Sequence, residues 1–304
     1  MPILYLLEKI RMPWLNDFML AFTTFGEETA FLVIALIVFW CVDKYHGYYV
    51  LGVGLFGNMA NQFLKILCRI PRPWVQDPDF EPVGGSVGAA GGYSFPSGHS
   101  QTAVGTMGCI ALTQKNKIVR VVCIALMILV PFSRMYLGVH TPQDVLVGSG
   151  MALVMIFAFR PLMLGKGKKN IPWVFTGMLA LSVGYLLYVQ MYPFSEAVLA
   201  TENYAHAVEN GYTFLGCFVG ILIVWLVDEK KLHFRTDAIW WAQILKAVLG
   251  LVVVLIVKEG TRSPLVMLCG NELIARAVRY CLIVVTAGII WPLTFKWFAK
   301  LGRK

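Results

Sequence analysis

The sequence predicts an all-α protein, a polytopic membrane helix bundle of about nine transmembrane helices. Three observations carry this expectation. Hydrophobic residues make up 58% of the 304-residue chain and charged residues only 14%, where a soluble domain carries about 25% charged residues. Mean hydropathy is +0.68. Apolar runs recur along the chain at close to the ~20 residues that cross a hydrocarbon core of roughly 30 Å.

Residues 3–18 come first and open Ile3-Leu4-Tyr5-Leu6-Leu7-Glu8-Lys9-Ile10. The stretch is too charged and too short to span. It lacks the basic start and continuous apolar run of a cleaved signal peptide, so it reads as an interfacial amphipathic helix within residues 1–19. Spans follow at 22–42, 48–68, 99–114, 118–138, 143–163, 172–191, 212–228, 238–257 and 279–298. The third is short and begins at a polar motif.

Basic residues orient the set. Lys44, then Lys115, Lys117 and Arg120, then Arg160, Lys166, Lys168 and Lys169, then Lys230, Lys231 and Arg235, then Lys296, Lys300, Arg303 and Lys304 share one face, assigned to the cytoplasm. Asp77, Asp79, Glu81, Glu196, Glu202 and Glu209 fall on the other. The N-terminus and the polar motifs then lie outside, and the C-terminus lies in the cytoplasm. This bias accounts for the net charge of +9, which is not a nucleic-acid signal. Seven cysteines, mostly in or beside spans, show neither a disulfide framework nor zinc-ligand spacing, and read as buried small apolar residues.

Three motifs interrupt the apolar sequence: Lys65-x6-Arg72-Pro73, Pro96-Ser97-Gly98-His99, and Ser133-Arg134-x5-His140-x3-Asp144. Lys65, Arg69 and Arg72 share one helical face. They either snorkel to headgroups or, for Lys65 and Arg72, hold an anion, Arg as a rigid fork and Lys as a mobile charge. Arg69 reads as a helix-end residue. The second motif opens a helix, where free amides suit an anion; Ser97 can cap it, and Gly98 allows close approach. An ordinary capped turn is the alternative. Thr141-Pro142 reads as a helix start, so Asp144 can complete a capping box, orient His140 for attack, or do both. Arg134, a guanidinium ending an apolar span, calls for an anion partner.

Taken together, these motifs closely resemble those of the type 2 phosphatidic acid phosphatase family, with every motif position matched over roughly residues 20–165. The resemblance implies a six-helix phosphatase core and a histidine-based, metal-independent phosphatase needing no cofactor. By it, His140 is the nucleophile forming a phosphohistidine, Asp144 orients it, and His99 is the general acid. Lys65, Arg72, Ser97, the Gly98 amide and Arg134 bind the phosphoryl oxygens.

The segment 74–95, ending in the Gly-rich run from Gly84 to Gly92, is either a flexible linker or a lid over the site. Domain boundaries are expected at 1–19 (interfacial helix), 20–191 (phosphatase core) and 192–304 (a membrane extension of about three helices), a layout similar to that of glucose-6-phosphatase. Lys258, Glu259, Arg262, Glu272, Arg276 and Arg279 gather near the outer ends of the last two spans, as mutual ion pairs or as part of a substrate entrance. The function expected is hydrolysis of a lipid phosphate or diphosphate (undecaprenyl diphosphate, phosphatidate or similar) on the extracytoplasmic side of a bacterial cell membrane. The partners are then the phosphorylated lipid and membrane lipids. The alternatives are a small soluble phosphate such as a sugar phosphate, a phospholipid-binding or transport protein, and a vanadate-dependent haloperoxidase. The spans disfavour the last.

Overall fold

The computed structural model describes residues 1–88 and 90–302; Ala89 of the Gly-rich segment and Arg303 and Lys304 of the last basic group lie outside the described residues. The helices are α1 (Pro2–Glu8), α2 (Pro13–Thr23), α3 (Glu28–Ile37), α4 (Lys44–Cys68), α5 (Pro73–Gln76), α6 (Gly98–Thr113), α7 (Lys117–Tyr136), α8 (Pro142–Met163), α9 (Ile171–Met191), α10 (Glu196–Leu199), α11 (Glu202–Val227), α12 (Trp240–Gly260), α13 (Arg262–Cys269), α14 (Glu272–Val285) and α15 (Phe295–Phe298). No strand occurs among the described residues.

Seven helical stretches among the described residues are long and apolar enough to cross a bilayer, from Lys44–Gln76 to Glu272–Phe298. An eighth is formed if Pro13–Gly26 and Glu28–Val42, bent by 56°, count as one span. The remaining span expected from the sequence, the third at 99–114, is α6. Its 16 residues give a length of about 24 Å, short of the hydrocarbon core. Residues 100 to 109 of it are all buried. A helix enclosed by other helices has no need to reach both interfaces.

The N-terminal stretch expected as one interfacial helix is two, because Pro13 restarts the chain at the first position of α2. α1 buries Leu4 and Leu7 and packs on α7. The Tyr5 hydroxyl donates to Asp77 (3.0 Å), and Arg11 donates to the Glu81 carbonyl (2.6 Å).

The chain forms two compact units. The first comprises Met1–Leu32, Val50–Phe159 and Phe194–Ala207. Here α7 lies against α6, α2 and α1. α4 ends with Arg69 in the left-handed conformation (φ 52°), the helix-end role read from the sequence, and its guanidinium lies 5.7 Å from the Phe194 ring. α7 ends through Gly138 (φ 78°), where any added Cβ would meet Arg11 and the Phe80 ring at 2.7–2.8 Å. This reversal carries the chain from Arg134 back to His140.

The second unit comprises Val33–Tyr49, Arg160–Pro193 and Val208–Lys304. Three π-helical turns, Val38–Val42, Asp228–Leu232 and Thr286–Ile290, interrupt its helices. Trp40 donates to the Ala287 carbonyl (2.8 Å), and Lys44 pairs with Asp228 (2.6 Å). Gly216 and Gly220 stand four apart on α11 and let α14 approach so closely that a Cβ at Gly216 would overlap the Ala277 carbonyl. Small residues at this spacing are a packing device of membrane helices. Of the charged residues near the last two spans, Lys258 pairs with Glu259 (3.6 Å), and Arg276 pairs with Glu209 of α11 (2.6 Å).

Gly216→Leu is expected to destabilise the protein by about 2 kcal/mol through overpacking. Gly177→Ala, where an added methyl meets nothing within 4 Å, is expected to leave thermal unfolding in detergent unchanged or slightly raised.

Candidate active site

Five helix ends of the first unit bring the three motifs together. Lys65 lies in the last turn of α4 and Arg72 is the N-cap of α5. Ser97 caps α6, its Oγ accepting from the Ser100 amide (3.4 Å) and the Ser100 hydroxyl (2.9 Å). Its own hydroxyl proton remains to be donated. Arg134 is in the last turn of α7. His140 precedes α8, whose first turn contains Asp144.

Asp144 completes the capping box that its spacing suggested and also lies beside His140. The Thr141 amide donates to Asp144 Oδ2 (2.8 Å) and the Asp144 amide donates to Thr141 Oγ1 (3.4 Å), a reciprocal capping box. The same Oδ2 stands 3.4 Å from His140 Nδ1. The Ser94 hydroxyl donates to it as well (2.6 Å), which fixes the carboxylate between loop and helix. Arg72 Nη1 donates to His140 Nε2 at 2.8 Å and stands 3.5 Å from Nδ1 of the same ring.

The loop 74–95 is folded onto the cations. Arg72 Nε and Nη2 donate to the carbonyls of Gly92 (3.0 Å) and Gly91 (2.6 Å), and Nη1 also to that of Val139 (3.0 Å). Lys65 donates to the Tyr93 carbonyl (2.6 Å). Arg134 is fully buried and donates to Thr23 Oγ1 (2.7 Å), while its Nε and Nη2 have no partner among the described residues. His99 Nε2 is likewise buried and unpartnered. These are donors and an imidazole set for an anion.

A cavity of about 390 Å³ opens on this cluster, lined among others by Lys65, Arg72, Gly98, His99 and His140. Burial above all, then Arg72, Arg134 and Lys65, push His140 well below the usual histidine range. The imidazole stays neutral, the form that can attack.

Several participants were not singled out from the sequence. Thr23 holds Arg134, Ser94 holds Asp144, and Asn61 donates to the Pro96 carbonyl (3.3 Å). Gly148 lets α8 approach the second motif, since a Cβ there would lie 2.5 Å from the Ser97 carbonyl. One available signal was the polar stripe Asn58, Asn61, Gln62, Lys65 on an apolar span, because polar side chains inside membrane segments mark functional cavities.

Residues 45–168 match the PAP2 superfamily, and residues 212–304 match the PAP2 superfamily phosphatase transmembrane extension. Phosphatidylglycerophosphatase B of Bacillus subtilis (strain 168) is 31% identical over 163 residues, 49% of this chain and 75% of that relative. The chain belongs to the PAP2 superfamily. It is an integral, multi-pass membrane phosphatase of that superfamily. A crystal structure described as the first transmembrane PAP2-type phosphatidylglycerolphosphate phosphatase, from Bacillus subtilis, is 30% identical, covering 53% of this chain and 82% of that one with a TM-score of 0.44. All three PAP2 motifs lie inside the first matched region.

Asp144→Asn is expected to lower turnover of this PAP2 phosphatase by about 10²-fold or more, read as phosphate release, with folding checked by thermal unfolding. Gly148→Val, which moves the Ser97 turn without touching a charged group, is expected to lower turnover in the same assay.

Proposed function

We propose that this PAP2 phosphatase hydrolyses a phosphorylated membrane lipid on the extracytoplasmic side, through a phosphohistidine on His140 and without a metal. The observation that carries the reading is the His140 ring held between Asp144 and Arg72, beside buried donors that lack protein partners. In the first step, Arg72 Nη1 transfers its hydrogen bond from Nε2 to a phosphoryl oxygen. Nε2 then attacks phosphorus, a P–N bond forms and the P–O bond to the lipid breaks. His99 enters this step as the imidazolium, its charge balanced by the bound phosphoryl oxygens, and gives its proton to the departing oxygen. In the second step, His99 takes a proton from water, the oxygen attacks phosphorus, the P–N bond breaks, and phosphate leaves with neutral His140 restored. Lys65, Arg72, Arg134, the Ser97 hydroxyl and the Gly98 amide stabilise the negative charge of both transition states, the work that metal ions do in other phosphoryl transfers.

The relative's name concerns phosphatidylglycerophosphate. This supports a lipid carrying a terminal phosphate monoester as the substrate class, ahead of undecaprenyl diphosphate. A protein that only bound or transported phosphate would use the cations and leave two imidazoles without a task. The same reading divides the chain into an interfacial segment (1–19), a phosphatase core (20–191) and a membrane extension (192–304). It sets the molecule in a bacterial cell membrane with the basic loops inside.

With detergent-purified protein and chelator present, phosphate release from a phosphorylated lipid is expected to continue at the same rate, and His140→Ala to abolish it. Release that stops with chelator, or survives the substitution, would refute the mechanism. Because burial, and then the cations, hold His140 well below its ordinary value, the acid limb of the kcat/KM profile is expected below pH ~6.5, the ordinary histidine value. Removing a neighbouring cation by Lys65→Met raises the imidazole's proton affinity, so that limb moves to higher pH. A reporter fused after Lys304 is expected in the cytoplasm, as read by protease protection; an external reporter would put the chemistry on the opposite face.

A further inference from the structure

In the second unit, where α13 turns into α14, Arg262, Arg276, Arg279, Glu209 and Glu272 line a cavity of about 90 Å³. The local sequence gathers them. Gly270 ends α13 in the left-handed conformation (φ 63°). The Asn271 side chain then accepts from the Leu273 and Ile274 amides (2.9 and 3.0 Å), so α14 starts at once and packs back on α13. Glu209 of α11 closes the space by pairing with Arg276 (2.6 Å), and Glu272 sits in the first turn of α14, where the helix's own partial positive charge suits a carboxylate. Arg262 and Arg279 remain. Neither forms an ion pair among the described residues. Arg279 lies over the Tyr280 ring (5.5 Å), yet its Nε is buried with no hydrogen-bond partner among those residues. Three arginines against two glutamates leave the lining one positive charge in excess. These arginines stand at the opposite helix ends from Lys230, Lys231 and Arg235, so the usual gathering of basic residues on one membrane face does not account for them.

We infer that this cavity holds the phosphodiester of a membrane glycerophospholipid, as a resident lipid of the extension and not as a substrate. A phosphodiester carries a single negative charge, which matches the excess on the lining. Guanidinium groups offer forked donors to two phosphate oxygens, and the oxygens supply the acceptor that Arg279 Nε lacks. A buried donor without an acceptor is costly, so the bound phosphate removes a penalty that the protein alone leaves in place. The surroundings point to a lipid as the carrier of this phosphate. Met267 and Leu268 of α13 are each 82% exposed, and Ile274 of α14 is exposed as well, so apolar side chains border the charged cavity. That pairing of a cationic notch with an apolar rim suits a headgroup phosphate with acyl chains beside it; free phosphate would leave the rim without a partner. The lipid would tie α11, α13 and α14 together at this end of the unit, independently of the chemistry proposed for His140.

The test uses the full-length protein in detergent micelles and a photoactivatable phosphatidylglycerol, with the cross-linked peptides mapped. Labelling of the native protein is expected to concentrate on residues 262–279. Unlabelled phosphatidylglycerol is expected to displace it, whereas diacylglycerol with the same acyl chains, or inorganic phosphate at the same concentration, is not. Arg262→Gln combined with Arg279→Gln is expected to weaken the affinity read from displacement by about 10-fold. Phosphate release from a phosphorylated lipid is expected to stay unchanged in that variant, which shows it to be folded. Labelling spread evenly over lipid-facing helices such as α7 would overturn the inference, and this readout needs no variant. Displacement by diacylglycerol as effective as by phosphatidylglycerol would overturn the recognition of phosphate. Equal displacement by inorganic phosphate would overturn the lipid as its carrier and leave a site for a free anion.

Discussion

Three cations, Lys65, Arg72 and Arg134, are buried together in a helical unit with one buried carboxylate, Asp144, among them. Taking charges out of water is expensive, and like charges side by side add to the cost. The local architecture is arranged to meet this constraint. Backbone carbonyls of Gly91, Gly92, Tyr93 and Val139 take the hydrogens of Lys65 and Arg72. Thr23 takes one from Arg134. Asp144 is tied at once to the cap of its own helix, to Ser94 and to the edge of the imidazole. The bend between α2 and α3, the left-handed residue ending α4, and the reversal at Gly138 bring these partners within reach.

In the proposed mechanism, the residual imbalance is what readies the site for a phosphoryl group. Donors on Arg134 and the Nε2 of His99 have no partner among the described residues, so an oxyanion entering the cavity meets groups already desolvated and aimed. Such preorganisation lowers the reorganisation needed as charge develops. Burial first, and then the field of the same cations, hold His140 well below the usual histidine range, so in the proposed mechanism one set of charges serves both substrate binding and the readiness of the nucleophile.

Much of this was legible in the chain. Apolar run lengths gave the helical, membrane-spanning class, and motif spacing gave the residues that meet around the cavity. Asp144 at the third helical position was readable both as a cap and as a partner of His140, and the geometry accommodates both. What escaped has physical reasons. The enclosure of α6 makes a 16-residue segment sufficient, and hydropathy does not distinguish a helix buried in protein from one facing lipid. Pro13 splits the N-terminal stretch. Thr23, Ser94 and Gly148 act through contacts 50 or more residues away in sequence, beyond any local pattern. Gly216 and Gly220 did offer a local pattern, four apart on an apolar helix. The segment 74–95 looked like a linker because its composition is Gly-rich, yet its contribution is made by carbonyl oxygens, which every residue possesses.

That last feature has a consequence for how freely the chain can be rewritten. A contact made by main-chain oxygen is indifferent to the side chain attached. Gly84 and Gly88, where an added Cβ meets nothing within 4 Å, are open points in a more demanding segment. The demanding residues include Gly85 at φ 83°, the buried Ser86, whose hydroxyl donates to the Val83 carbonyl, Gly92, held at φ 75° while its carbonyl faces Arg72, and Ser94, whose hydroxyl is committed to Asp144. Labels, charges or bulk can be introduced at 84 and 88 to explore how lipids approach the mouth of the cavity, while the oxygens that hold the cations stay in place.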